Sequence, residues 1–422
     1  MRMPVGFGML RETLALRPYR LFVIGTLSSN VGQWVQRVAI GWLTWELTQS
    51  TAWLGGIAIA EAAPTIALGF VAGTFVDRAD QVKLLRVTQA FSLLYAASLA
   101  FLTLAQLIDI WLLVLIVLLR GIVIAFSRPT RMTVIFGLVG REYLPSALAM
   151  NSMIFNFSRF LGPAIGGSII AGAGTGWSFV AAFLLFLPIN LALRAIDQAR
   201  ITMPPAASEA ARSIWTETLE GIRYILGHEG IRIQLALLIL TSICAKPLTD
   251  LFPGFAAGVF DRGSTGLAWL LSLHGAGAMI GAVWLSARSE LKGLTRITLA
   301  NILLMGVGLM LFCATTKFWL ACPIAALLGF AFIVQSVSNQ TLIQSAVHSN
   351  VRGRVLSVYG MISQGVPSLG TFTIGAAAVH WQLRLPVAIG GALCVALWAW
   401  SWRLRVPMAQ ALEAKAPVGA SD

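Results

Sequence analysis

Ionisable residues that stand inside otherwise apolar runs include Arg37, Glu61, Arg120, Arg159, Lys246, Asp250 and His274. A charged side chain at bilayer depth is costly, so such residues are by default candidates for function. Glu61 and Arg120 lie about equally deep in their runs. A carboxylate that gains and loses an arginine partner can release and take up a proton, which makes the two a candidate proton-coupling pair. A permanent ion pair, or groups lining a wet pore, would use the same residues. Asp250 is the next acid able to carry a proton. Lys246 and Asp250 are four apart and share one helix face, while Pro247 between them is expected to break the helix locally. They would neutralise each other or touch a substrate. Arg37, Trp34, Lys246 and His274 are the candidates for a substrate cavity. His274 could titrate near neutral pH or simply pack, and Trp34 and Trp42 could stack on an aromatic cargo or anchor at the interface. Arg159 could serve gating, or snorkel towards water.

Other chemistries find no footing. The four cysteines, Cys244, Cys313, Cys322 and Cys394, sit singly in apolar runs and form no CxxC pair. No HExxH, GxSxG or GxxxxGK[ST] pattern occurs, and the four histidines are scattered. The expectation is a protein that is not an enzyme, holds no metal or cofactor, and does not hydrolyse ATP.

The elements that must position these residues are transmembrane helices. Of the 422 residues, 57% are hydrophobic and 11% charged, against about 25% charged in an average soluble domain. Mean hydropathy is +0.80. A bilayer core takes about 20 apolar residues per helix, and runs of that size recur along the whole chain. Twelve spans are expected near 20–46, 52–75, 83–106, 110–137, 144–172, 176–195, 231–259, 265–287, 294–315, 318–346, 355–380 and 384–404. The net charge of +13 comes from basic residues between the runs, the positive-inside pattern and not a nucleic-acid surface. With the N-terminus in the cytoplasm, only Arg262, Lys317 and Arg384 of the 30 Lys and Arg fall outside. Both termini are therefore expected in the cytoplasm.

Residues 196–230 break the rhythm with MPPAASEAARS and then a charged stretch whose Ile214, Leu219, Ile222 and Ile225 make one apolar side. This reads as a cytoplasmic linker with an amphipathic helix. It separates an N-terminal six-helix half, 1–195, from a C-terminal half, 231–405, followed by a tail, 406–422. Internal repetition supports the division, with Gly162 and Gly370 in matching places of two glycine-rich spans.

Three motifs resemble the major facilitator superfamily. GTFVDRADQVK matches its loop pattern at Gly73, Asp77, Arg78 and Lys83, with Asp80 where the family has glycine. Aspartate tolerates the left-handed turn expected there. The resemblance implies that Asp77 caps a neighbouring helix and pairs with a base, locking one state. GPAIGG, with Gly162, Pro163, Gly166 and Gly167, matches the family's exporter signature in full. Glycines four apart allow helices to touch closely, and Gly277 and Gly281 in the eighth span offer a partner surface. LLRGIVIAFSRPTR places Arg120 at the family's buried arginine, though Ile124 stands where glycine is expected. SSNVGQWVQRVAIGWLTWELTQSTAWLG, SRPTR and VRGRVLSVYGM are similar to the transmembrane secretion effector branch, the branch of the enterobactin exporter. The resemblance covers 18–405. It implies the twelve-helix, two-half all-α membrane fold and a monomeric, proton-coupled exporter of a siderophore, drug or amphipathic metabolite in the bacterial inner membrane. A sensor or assembly protein without flux of its own is the alternative.

Overall fold

Apolar runs bounded by Gly, Pro and polar residues become helices because hydrocarbon satisfies no backbone N–H or C=O, and only a helix satisfies them internally. The computed structural model describes residues 7–196, 214–288, 290–348 and 351–413. In chain order the α-helices are α1 (Phe7–Ala15), α2 (Arg17–Thr48), α3 (Thr51–Arg78), α4 (Gln81–Leu104), α5 (Ile110–Ala173), α6 (Thr175–Ala195), α7 (Ile214–Gly227), α8 (Glu229–Cys244) and α9 (Leu248–Pro253). After a π-helical turn, Gly254–Val259, come α10 (Gly263–Ser286), α11 (Leu294–Ala314), α12 (Phe318–Ala346), α13 (Arg352–Trp381), α14 (Arg384–Trp402) and α15 (Arg405–Glu413). No strand occurs among the described residues.

Among the described residues nine stretches are long and apolar enough to cross a bilayer, one of them running from α8 through the π-helical turn, and the chain is a multi-pass membrane protein. Three further long stretches, α2, α5 beyond Gly140, and α13, are not among the nine. They hold the polar side chains, such as Ser28, Ser29, Asn30, Gln33, Gln36 and Arg37 in α2, and that lowers their hydropathy. Exposed tryptophans mark helix ends, with Trp111, Trp177 and Trp319 each near a helix start and Trp381 at the end of α13, as expected of interfacial anchors.

Two expected spans join in α5, where the break is confined to Gly140 at φ 70° and ψ −176°, a conformation open to a residue without Cβ. The expected seventh span is divided. Pro247 ends α8, α9 has six residues, and the π-helical turn completes the crossing.

The chain separates into two compact units, one of 1–48 and 60–209 and one of 49–59 and 210–422. In the first, α2 packs on α5 and α6, and α4 on α6. Tyr19, Phe22, Leu85, Ile135 and Leu193 close one end of its core. In the second, α10 packs on α12, and α11 on α12 and α14. Helix α7 belongs to this unit. Its Ile225 is buried, while Leu219, Ile222 and Leu226 face outward at i, i+3 and i+7, the stripe of a helix lying in a membrane interface. The side chain of Ile214 and residues 197–213 lie outside the described residues.

Residues 406–413, expected in the tail, belong to α15, which starts at Arg405. Its Glu413 accepts from the backbone N–H of Gly293 at 2.7 Å and of Thr295 at 2.8 Å. One carboxylate thereby caps the N-terminus of α11, where amides are orphaned and the helix end is positive.

Candidate functional site

In the first unit α3 carries Glu61 and α5 carries Arg120. The two helices can approach because Gly121 has no side chain, since a Cβ there would stand 2.6 Å from the carbonyl oxygen of Glu61 and 3.1 Å from Pro64. Thr65 Oγ1 ties the contact by donating to the carbonyls of Glu61 at 3.3 Å and Gly121 at 3.1 Å. Arg120 Nη1 donates to Glu61 Oε1 at 2.6 Å, with the side chains 10% and 24% exposed. The Arg120 guanidinium also lies 5.9 Å from the Tyr95 ring, a cation–π distance. Arg37 and Arg128 add positive potential at Glu61. Arg131 donates to Asn30 Oδ1 at 2.9 Å. Beside Arg120 opens a cavity of about 200 Å³ lined by Gln33, Gln36, Tyr95 and the apolar Phe91, Leu94 and Leu119.

One turn away on α2, Trp34 holds two guanidinium groups. Arg37 lies 5.6 Å and Arg159 5.9 Å from its ring centroid, and Phe155 meets it edge-on at 6.2 Å. GPAIGG positions this cluster. A Cβ at Gly162 would overlap Trp34 Cβ, and one at Gly166 would stand 3.1 Å from Val35 Cα. The motif's contact is therefore α2, and this corrects the expected partner. Gly277 and Gly281 of α10 instead pack on Ala326, Phe330 and Ile333 of α12, because small residues let any adjacent pair of membrane helices close up. Pro163 and Gly167 are buried beside their motif partners.

The second unit repeats the arrangement with different side chains. Gly370 of α13 packs on the end of α8, where a Cβ would stand 2.7 Å from Ile243 Cα and 2.8 Å from Pro247 Cγ. The next residue, Thr371, donates to Asp250 Oδ2 at 3.2 Å. Lys246 precedes the break and Asp250 follows it. His274 is 5% exposed, with Phe252 at 5.7 Å and Phe332 at 5.4 Å edge-on to its ring.

Trp42 donates Nε1–H to Glu46 Oε1 at 2.6 Å, and Glu46 also accepts from Thr175. The surroundings of Gly73, Asp77 and Arg78 lie outside the described residues. Lys83 donates its backbone N–H to Asp80 Oδ1 at 2.9 Å. Asp80 sits at φ −66° and ψ 103°, which corrects the left-handed turn expected there. Helix α3 runs on to Arg78, so the corner needs an N-cap for α4, and an extended aspartate supplies it. No group of His, Cys, Asp or Glu among the described residues could hold a metal.

The structure thus joins Glu61 with Arg120, and Arg37 with Trp34. Arg159, read singly in the sequence, belongs with the latter. The signal was local: Arg37 is three residues after Trp34, and Arg159 three before Gly162, one turn in each case.

A family model described as transmembrane secretion effector matches residues 12–419. The multidrug efflux pump Tap of Mycolicibacterium fortuitum is 25% identical over 90% of this chain and 95% of its own length. The staphyloferrin A transporter of Staphylococcus aureus is 25% identical over 82% and 86%. Among solved structures, a bacterial homologue of the human lysosomal transporter Spinster superposes with a TM-score of 0.70 at 13% identity, over 95% of this chain and 99% of that one.

Proposed function

Because the chain belongs to the transmembrane secretion effector family, we propose that it exports a small organic molecule across the bacterial inner membrane by alternating access. Relatives named as a multidrug efflux pump and a siderophore transporter support that cargo class. In this reading α2, the part of α5 after Gly140, and α13 also span. That gives twelve crossings with both termini cytoplasmic, in a protein that works as a monomer.

The observation that carries the mechanism is the Glu61–Arg120 ion pair, inside two membrane helices and 2.6 Å long. A pair held in low dielectric resists separation, so a movement that parts it changes what Glu61 binds. With Arg120 close, the carboxylate stays ionised. With Arg120 withdrawn, a proton replaces the guanidinium. Alternation between these states exchanges protons for cargo. Gly73, Asp77, Arg78 and Lys83 then bias the equilibrium from the loop, while Gly162, Pro163, Gly166 and Gly167 let helices seal. A bias of this kind acts only through its different energy in the two states. Asp250, Lys246 and His274 serve the second half of the pathway.

The test is flux in proteoliposomes holding the purified chain. An imposed pH gradient is expected to drive uphill accumulation of cargo, and collapsing the gradient to end it. Accumulation indifferent to the gradient would remove proton coupling, and no flux of any cargo would remove export.

A further inference from the structure

In the second unit α11 and α14 meet at two glycines. A Cβ on Gly306 would stand 2.7 Å from the carbonyl oxygen of Gly391, and one on Gly391 would stand 2.8 Å from that of Gly306. Arg384, at the start of α14, donates to the carbonyl of Cys313, near the end of α11, at 3.2 Å, so the two helices run antiparallel. Arg296 lies ten residues before Gly306, and Trp402 eleven after Gly391. At 1.5 Å per residue these are displacements of about 15 and about 17 Å towards the same end. The two residues therefore come level where α11 begins and α14 finishes.

Trp402 packs there beside Trp398, one turn earlier, at 5.8 Å. The guanidinium of Arg296 lies 5.8 Å from its ring centroid and that of Arg405 5.3 Å. Arg405 Nη1 also donates to the carbonyl of Trp402 at 2.9 Å. Both arginines are exposed, and neither is paired with a carboxylate among the described residues. The acid at this end, Glu413, is already held by the amides of Gly293 and Thr295. Two positive charges sharing one indole at a membrane surface gain from an anion that joins them. Below them the surface is apolar. Arg296 heads the outward stripe of α11, which continues through Ala300, Val307 and Leu311, and Leu393 and Trp400 are exposed on α14. Both helices are apolar enough to cross a bilayer. An occupant that answers both features carries an anionic head and an apolar tail. A phosphodiester suits guanidinium forks, and acyl chains suit the stripe. We propose that Arg296 and Arg405, gathered on Trp402, bind the phosphodiester of an anionic phospholipid. In the orientation proposed above this lipid lies in the cytoplasmic leaflet, whereas the binding itself does not depend on what the chain exports.

The experiment titrates the purified full chain in detergent with dioleoylphosphatidylglycerol or dioleoylphosphatidylcholine and follows bound lipid by native mass spectrometry. An arginine beside anionic headgroups is worth about fivefold in affinity. The phosphatidylglycerol is therefore expected to bind at least about tenfold more tightly than the phosphatidylcholine, and less tightly as salt rises. Arg296→Gln and Arg405→Gln should each weaken it about fivefold, and both together should bring the two lipids within about threefold of each other. Arg296→Lys should recover part of the single loss, because the charge returns without the fork. Trp402→Leu should weaken phosphatidylglycerol with both arginines present. Arg288→Gln, which removes an arginine stacked singly on Trp284, should leave the preference unchanged. A thermal midpoint for each variant separates lost binding from lost folding. Equal binding of the two lipids, or a folded double variant that binds like wild type, overturns the proposal. So does a loss in Arg288→Gln as large as that in Arg296→Gln, since the preference would then follow surface charge in general. Inorganic phosphate that displaces the lipid at equal concentration also overturns it, because the site would then read a free anion.

Discussion

Gly162 against Trp34 in one unit and Gly370 against Ile243 and Pro247 in the other are the same packing device with different contents. Each lets a glycine-rich helix lie on the first helix of its unit's run. Beside Gly162 the device gathers Arg37 and Arg159 on one tryptophan. Beside Gly370 it presents Thr371 to Asp250, four residues from Lys246. The first site is mounted on long helices, α2 and α5, and the second on a helix interrupted by Pro247, a six-residue segment and a π-helical turn. Backbone contact in these units is thus set by small residues, and charge is an independent choice laid over it. The unbroken version holds like charges together on one ring, while the broken version sets a hydroxyl donor against a carboxylate.

The most damaging way to break this comparison is to fill the glycines. Gly162→Leu would place atoms where Trp34 Cβ stands, and neither partner is a flexible side-chain end. Overpacking of this kind costs about 1–3 kcal/mol or more. Transport is expected to be lost while the protein still inserts, with Gly370→Leu similar. Gly360→Ala, with nothing within 4 Å, should transport normally. Flux beside monodisperse yield measures all three. Normal flux from Gly162→Leu would reduce GPAIGG to filler.

Next in its effect on transport, though comparable in its cost to stability, is the ion pair. Arg120→Ala leaves Glu61 as a partly buried charge without its hydrogen-bonded partner, a loss of up to about 3 kcal/mol, the low end for a broken buried pair, since its side chain is 24% exposed. Glu61→Gln is milder, because the amide keeps the shape and still accepts from Arg120. Thermal stability should fall in that order. Glu61→Gln should also end gradient-driven accumulation while sparing downhill exchange. If it keeps full gradient-driven transport, coupling lies elsewhere, and Asp250→Asn is the variant to measure.

These contrasts show what could be read without coordinates. Helix positions were legible where apolar length alone decides them: 318–346 was expected for α12 and Phe318–Ala346 is found, and 294–315 for α11 against Leu294–Ala314. The break at Pro247 was legible because proline removes a donor and crowds the preceding turn. The joining of two spans through Gly140 was not, since a glycine followed by Arg141 and Glu142 reads as a loop end. Within the site, Glu61 and Arg120 stood out as rare charges in apolar runs, but their 2.6 Å contact depends on Gly121, which looks like any membrane glycine. The Glu413 cap spans more than a hundred residues, and no local pattern announces it.

That cap sets a scale for ordinary structural charge in the second unit. Glu413→Ala removes acceptors from two backbone amides of α11, at a cost of about 1–2 kcal/mol. The loss should appear as faster hydrogen exchange at Gly293–Thr298, with transport retained if the cap is structural only. A transport defect as large as that of Arg120→Ala would erase the distinction between mid-helix and helix-end charges.

The smallest expected effect is a pH dependence at the start of α8. His228 is its N-cap and accepts the backbone N–H of Ile231 at Nδ1, 3.3 Å away. An acceptor nitrogen must be unprotonated. Burial, aided by the nearby His348, holds the His228 pKa below its ordinary value. The unfolded chain therefore binds the proton more readily than the folded one near the ordinary histidine pKa of about 6.5. The sign follows: the contribution of His228 is fully present above that pH and declines as pH falls through it. Tyr224, whose hydroxyl lies 2.9 Å from His348 Nδ1 and whose ring is 6.1 Å from His228, links the junction to α7. Hydrogen exchange over 224–232 should quicken between pH 7.5 and 5.5 in wild type. In His228→Asn the change should be smaller, because asparagine caps without titrating. If the two proteins respond alike, the cap does not sense pH, and any pH effect on transport then falls to the carboxylates within the spans.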